Sequence, residues 1–162
     1  MTAVLSLGSN LGDRLAALQA AVDILEPVAV SPVYETAPVG GPSQPSYLNA
    51  VVVCELDAGV AWARAQRAEQ ALGRERVVRW GPRTLDVDLV VADGAPPDGI
   101  VLPHPRAHKR AFVLAPWHDL DPDGVLPGHG AVADLLAAVG TAGVDKRGDL
   151  HLHLRDRASK ES

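Results

Sequence analysis

The chain has 162 residues, 47% hydrophobic and 22% charged, which is enough for one domain with a real core. Its formal net charge of −5 argues against nonspecific nucleic-acid binding. The single cysteine, Cys54, excludes an internal disulfide and fits a reducing compartment. No run approaches a membrane span, and residues 1–11 lack the basic start and apolar stretch of a signal peptide, so a cytoplasmic location is expected.

Residues 3–7 read as a first strand, and Gly8-Ser9-Asn10-Leu11-Gly12 turns it into a helix. Asp13 or Asn10 can cap that helix. Leu15, Leu18, Val22 and Leu25 form its apolar stripe, and Pro27 ends it. The Gly-Ser-Asn turn lacks the Lys-Ser/Thr of a phosphate-binding P-loop and reads as structural. Residues 28–34 form a second strand, broken by Pro32 at an edge or bulge. Residues 36–46 are too rich in Gly and Pro for regular structure. In the strand over residues 47–56, Tyr47, Asn49, Val51 and Val53 share one face. An amide beside an aromatic ring suits a heterocycle, although a strand-end asparagine more often bonds locally. Asp57 caps a helix from Gly59 to Leu72 with Ala61, Ala65, Ala68 and Leu72 buried. Gln66 and Glu69 are neighbours on its flank.

Gly73 stops this helix, and residues 74–79 form a loop into Arg79-Trp80-Gly81-Pro82-Arg83-Thr84-Leu85-Asp86-Val87-Asp88. Six arginines lie between residues 64 and 83 against Glu69 and Glu75, a local charge of +4 within an acidic chain. Such a reversal of sign marks an anion site. Along the strand over residues 85–91, alternation sends Leu85, Val87, Leu89 and Val91 into a core and puts Asp86 and Asp88 together on the other face. Two adjacent carboxylates repel and call for a cation. Oxygen ligands without thiolate favour magnesium over zinc. Guanidinium groups just upstream suit phosphate. The competing interpretation of Asp-x-Asp, a solvated strand face, leaves the basic loop unexplained.

Residues 92–94 form a turn, and residues 100–102 return as a strand. In Pro103-His104-Pro105-Arg106-Ala107-His108 the prolines exclude a helix through His104, so a zinc pair of His104 and His108 is rejected. A short helix is expected over residues 112–120, another near residues 132–139, and a last strand over residues 150–154. His151 and His153 would share that strand's solvated face.

The run from Arg79 to Asp88 closely resembles the signature of the 6-hydroxymethyl-7,8-dihydropterin pyrophosphokinase family, and further matches recur in order from Leu7 to about Leu120. The resemblance implies a ferredoxin-like βαββαβ core, an α+β fold with a mainly antiparallel sheet and helices packed on it. Residues 1–155 would be one pyrophosphokinase domain and residues 156–162 a polar, disordered tail. It implies pyrophosphate transfer from ATP to a pterin alcohol with release of AMP, as a step in folate biosynthesis. Two magnesium ions would sit on Asp86 and Asp88, and Arg74 and Arg83 would be catalytic. The pterin would be held by Thr36, Pro38, Val39, Tyr47, Asn49 and Phe112. ATP would meet Gln66, Glu69, Arg76, Trp80, Arg83, His104 and Arg110. The chain departs from the family pattern at Pro105, where many relatives carry an aromatic, and in a loop after Gly73 about one residue shorter. The expected partners are ATP and the dihydropterin alcohol, with no nucleic acid or membrane. The protein would be a monomer working beside neighbouring folate-pathway enzymes. Two rivals are another magnesium-dependent nucleotidyl or phosphoryl transferase, and a noncatalytic RNA-binding module. The Tyr47-x-Asn49 and Phe112 matches oppose the first; six aromatics and an acidic total oppose the second.

Overall fold

A computed structural model describes residues 1–37, 45–72 and 84–155. Strand β1 (Ala3–Ser9) lies inside an antiparallel sheet, with β4 (Tyr47–Cys54) on one side and β5 (Asp86–Ala92) on the other. The order continues through β3 (Tyr34–Thr36) to β8 (Val144–Lys146), giving β5-β1-β4-β3-β8, and the short β2 (Ala29–Val30) also pairs with β4. With helix α1 (Arg14–Leu25) after β1 and helix α2 (Ala58–Ala71) after β4, this is the βαββαβ core that the resemblance implies.

Local chemistry explains the element ends. Asp13 accepts the Ala16 N–H at the start of α1, and Asp57 accepts the Val60 N–H at the start of α2; each carboxylate satisfies a donor the helix itself leaves unpaired. Pro32 divides the expected second strand into β2 and β3. At the break, the Ser31 hydroxyl accepts the Val51 N–H at 2.9 Å, standing in for a ladder partner.

The two faces of the sheet carry separate cores. On the first, Leu5, Leu7, Leu48, Val52, Val87 and Leu89 pack against Leu18, Val22 and Leu25 of α1 and Ala61, Ala65 and Ala68 of α2. Cys54 belongs to this core, where burial pushes its thiol up to about 11, as befits a packed thiol. On the second face, Val4, Val51 and Val90 pack against Val113, Leu114 and Trp117 of helix α3 (Ala111–Leu120) and against Val132 of helix α4 (Val132–Val139). Burying each such Leu or Val contributes roughly 1.5–3 kcal/mol. Between α3 and α4 lies a small hairpin of β6 (Val125–Leu126) and β7 (Gly130–Ala131). None of the helices among the described residues is long and apolar enough to cross a membrane.

Three expectations change. The alternation in β5 fails after Val90, because the register shifts beside Val4. Val90 and Val91 both then meet the second core, so Val91 does not join Leu85, Val87 and Leu89. No strand forms over residues 100–102 or 150–154. The last strand is β8, and Leu150 and Leu152 instead pack against the first core.

Candidate active site at the polar end of the second face

From one end to the other, the second face changes from valine to polar residues. In β1 the series is Val4, Ser6, Gly8; in β4 it is Val53, Val51, Asn49; in β5 it ends with Asp88 and Asp86. Register then places these side chains in rows. Gly8 pairs with Asp86 on one side and Asn49 on the other, and Ser6 pairs with Asp88 and Val51. The row through Gly8 continues from Asn49 to Tyr34 of β3, and the next pair outward is Thr36 with Tyr47. The expected carboxylates and the expected heterocycle-binding amide are therefore separated only by a glycine.

The glycine is needed. A Cβ on Gly8 would lie 3.1 Å from Asn49 Nδ2 and 3.5 Å from Tyr47 Cδ1. Asn49 is buried, and its Oδ1 accepts the Thr36 hydroxyl at 2.5 Å. That bond fixes which way the amide points. Tyr47 is half-buried beside it.

The start of α3 brings a cation to Asp88 and an aromatic ring beside that cation. Arg110 stands just before the first residue of α3, and its Nη1 lies 3.6 Å from Asp88 Oδ2, with the Asp88 side chain 43% exposed. The same guanidinium sits 5.4 Å from the centroid of the Phe112 ring, an arrangement that holds a cation by the ring's π-face. His104 is held near this group by its N–H, which donates to Val90 O at 2.7 Å. Burial holds the His104 imidazole below its usual range; Asp88 opposes that shift, while Arg110 and Arg106 add to it. No helix passes through His104; a 3-10 turn begins only at Ala107.

Asp86 and Asp88 share one face, as alternation requires, and among the described residues no group of three or more His, Cys, Asp or Glu converges. A pair of carboxylates fits magnesium, which keeps its waters and takes the rest of its oxygens from phosphate. It does not fit a closed zinc site. Glu69 is not the solvated flank residue that helix periodicity allows. It is buried, and its Oε2 accepts the Val87 N–H at 2.9 Å, holding β5 between its two aspartates. Gln66, a turn earlier in α2, is half-buried. Pro38, Val39, Arg74, Arg76, Trp80 and Arg83 lie outside the described residues. The site residue missed in the sequence is Gly8; a glycine inside a strand is the signal, since it marks close approach of a neighbour. A separate cavity of about 240 Å³ near Thr2, Val53 and Trp117 lies at the other end of this face and contains neither Asp86 nor Asp88.

Paired carboxylates, a guanidinium and a buried amide on one antiparallel sheet fit a phosphate-handling transferase on an α+β frame. The chain belongs to the 7,8-dihydro-6-hydroxymethylpterin-pyrophosphokinase (HPPK) family, whose model matches residues 4–122. It is 53% identical over 140 residues to the 2-amino-4-hydroxy-6-hydroxymethyldihydropteridine pyrophosphokinase of Mycobacterium leprae, covering 76% of this chain and 73% of that one. It is 39% identical over 154 residues to the protein of the same name from Methylorubrum extorquens, covering 89% and 97%. Among solved structures, wild-type Plasmodium falciparum HPPK-DHPS with SDX-DHP superposes with a TM-score of 0.64 at 13% identity. The match covers 85% of this chain and 44% of that one, so this chain spans less than half of the bifunctional protein and the likeness is one of fold.

Proposed function

We propose that this chain transfers pyrophosphate from ATP to the hydroxymethyl group of 6-hydroxymethyl-7,8-dihydropterin, releasing AMP, in folate biosynthesis. The observation that carries this reading is the row Asp86, Gly8, Asn49, in which a carboxylate and a buried amide face the same side of the sheet. The names of the relatives point to the same reaction.

The pterin lies against Asn49 and Thr36, between the rings of Tyr47 and Phe112, and Pro38 and Val39 belong to the same proposed binding set; a flat heterocycle is held by stacking and edge hydrogen bonds. Asp86 and Asp88 would hold two magnesium ions, which would neutralise charge on the phosphate oxygens. Arg110 and His104 meet the ATP, together with Gln66, Arg76 and Trp80. Glu69 acts by keeping β5 in place behind the metal. The alcohol oxygen forms a bond to the β-phosphorus while the bond from that phosphorus to the α,β-bridging oxygen breaks; AMP leaves with the electron pair, and the alcohol proton goes to solvent. Arg74 and Arg83 stabilise the charge developing on the transferred group. The substrates are small and water-soluble, in keeping with a cytoplasmic monomer beside other folate enzymes.

The test is to mix purified protein with ATP, magnesium and the dihydropterin alcohol. AMP should form only when the alcohol is present. ADP as the main nucleotide product would make the protein a simple kinase and overturn the reading.

A further inference from the structure

The face behind the pterin site carries a cluster of charges that the reaction does not use. Glu35 lies in β3 between Tyr34 and Thr36, and it pairs with Leu48 of β4. Its side chain therefore points to the α1 side of the sheet, away from Asn49. Each of its two oxygens is held by a different arginine. Arg14, the first residue of α1, donates from Nη1 to Glu35 Oε2 at 2.9 Å, and also to the Ser46 carbonyl and hydroxyl at 3.0 and 2.9 Å. Ser46 in turn donates its hydroxyl to Glu35 Oε2 at 2.5 Å. Arg147, just past β8, donates from Nη1 to Glu35 Oε1 at 2.7 Å.

Arg147 is itself fixed from three sides. Its Nε and Nη2 donate to the two oxygens of Asp149 at 2.9 and 2.8 Å. Its backbone N–H donates to Val33 O at 2.8 Å. Beyond it the chain is fastened across α1. Leu150 and Leu152 pack against the first core, and Gln19 exchanges hydrogen bonds with both the carbonyl and the N–H of His153 at 2.9 Å each. This strap lies outside residues 4–122, the part matched by the family model.

We propose that Arg147, carried by this strap, is a positioning residue for the pterin alcohol, a role that rests on the function proposed above. Glu35 and Ser46 are the immediate neighbours of Thr36 and Tyr47, which pair with each other across β3 and β4. Gripping Glu35 and Ser46 from behind fixes the spacing of Thr36 and Tyr47 in front, and through the Thr36 hydroxyl it fixes the amide of Asn49. Ala37 is held in the same way, its N–H donating to Gly143 O at 2.9 Å. The arginine side chains are about one-quarter to one-third exposed, and pairs of that kind contribute little stability. What a planar fork gives instead is geometry, since it can engage Asp149 and Glu35 at once in one orientation.

The experiment compares the full chain with Arg147→Ala, Arg147→Lys and Glu35→Gln. Initial rates of AMP release are measured with the dihydropterin alcohol and ATP varied in turn, alongside thermal unfolding and a direct calorimetric titration of the alcohol. Arg147→Ala should raise KM and Kd for the alcohol roughly tenfold, leave KM for ATP unchanged, and shift the melting temperature little. Arg147→Lys should recover part of the loss, because an ammonium can reach Glu35 without the fork to Asp149. Glu35→Gln should act on the alcohol in the same direction. An unchanged alcohol KM in Arg147→Ala, equal rises for both substrates, or losses that follow the melting temperature would overturn the positioning role alone. A wild-type chain that makes no AMP would overturn the proposed function and this role with it.

Discussion

Replacing Gly8 by alanine separates stability from substrate recognition. Gly8 sits in β1, between β5 and β4, and its φ is not positive, so alanine can adopt the same backbone. That substitution restricts the unfolded chain and stabilises by about 0.4–1 kcal/mol. Against this, the new methyl would stand 3.1 Å from Asn49 Nδ2, where ordinary contact begins near 3.4 Å, so the amide must move by a few tenths of an ångström. It cannot rotate freely, since Asn49 is 3% exposed and tied to Thr36. Crowding of this kind costs about 1 kcal/mol at the low end of overpacking, which leaves net stability close to wild type. On the proposed function, the displaced amide would then meet the pterin edge badly. A misplaced buried hydrogen bond costs roughly 1–3 kcal/mol, or about 5- to 150-fold in affinity. Calorimetry should therefore show the dihydropterin alcohol bound far more weakly and a nonhydrolysable ATP analogue with magnesium bound as before, with an almost unchanged melting temperature. Wild-type affinity for the alcohol in Gly8→Ala would refute the claim that Asn49 reads the pterin from this position.

Three other outcomes follow from the same geometry. Asp86→Ala and Asp88→Ala should each nearly abolish AMP formation while the circular dichroism spectrum and melting curve stay close to wild type, because these half-exposed side chains fill no core space; full activity in either variant would remove that aspartate from the metal site. Glu69→Ala leaves the Val87 N–H without its acceptor, so urea denaturation should show a loss of about 1–3 kcal/mol and the magnesium requirement should rise, with Glu69→Gln milder because its carbonyl can still accept. The hydrogen bond from Ser46 and then the Arg14 guanidinium pull the Glu35 carboxyl down from 4.5 to about 2. A depressed carboxyl stabilises the folded state fully above its unfolded value and loses that contribution as pH falls toward the folded one. Thermal stability should therefore decline between about pH 4.5 and 2, more steeply in wild type than in Glu35→Gln; identical profiles would show that Glu35 adds nothing, even though Asp149 titrates in the same window.

The sequence by itself determined the features that depend on local periodicity and capping. Alternation alone put Asp86 with Asp88 and Tyr47 with Asn49, because successive strand side chains must point to opposite faces. Asp57 was legible as a cap, Asp13 as one of two candidates beside Asn10, and Pro32 as a break, because each acts on backbone groups within a few residues. Only the tertiary structure decided that Gly8 stands between Asp86 and Asn49, since register joins residues distant in the chain and a shift by one would turn the row to the other face. The bulge that sends Val91 to the second core depends on β1 as a partner. The burial of Glu69 depends on where β5 places an unpaired N–H. The final strand formed over Val144–Lys146 because β3 offered an edge there, while the alternating leucines at 150 and 152 met α1 and the first core instead. Alternation records which residues can share a surface; the partner that covers that surface is chosen by the packing of the whole chain.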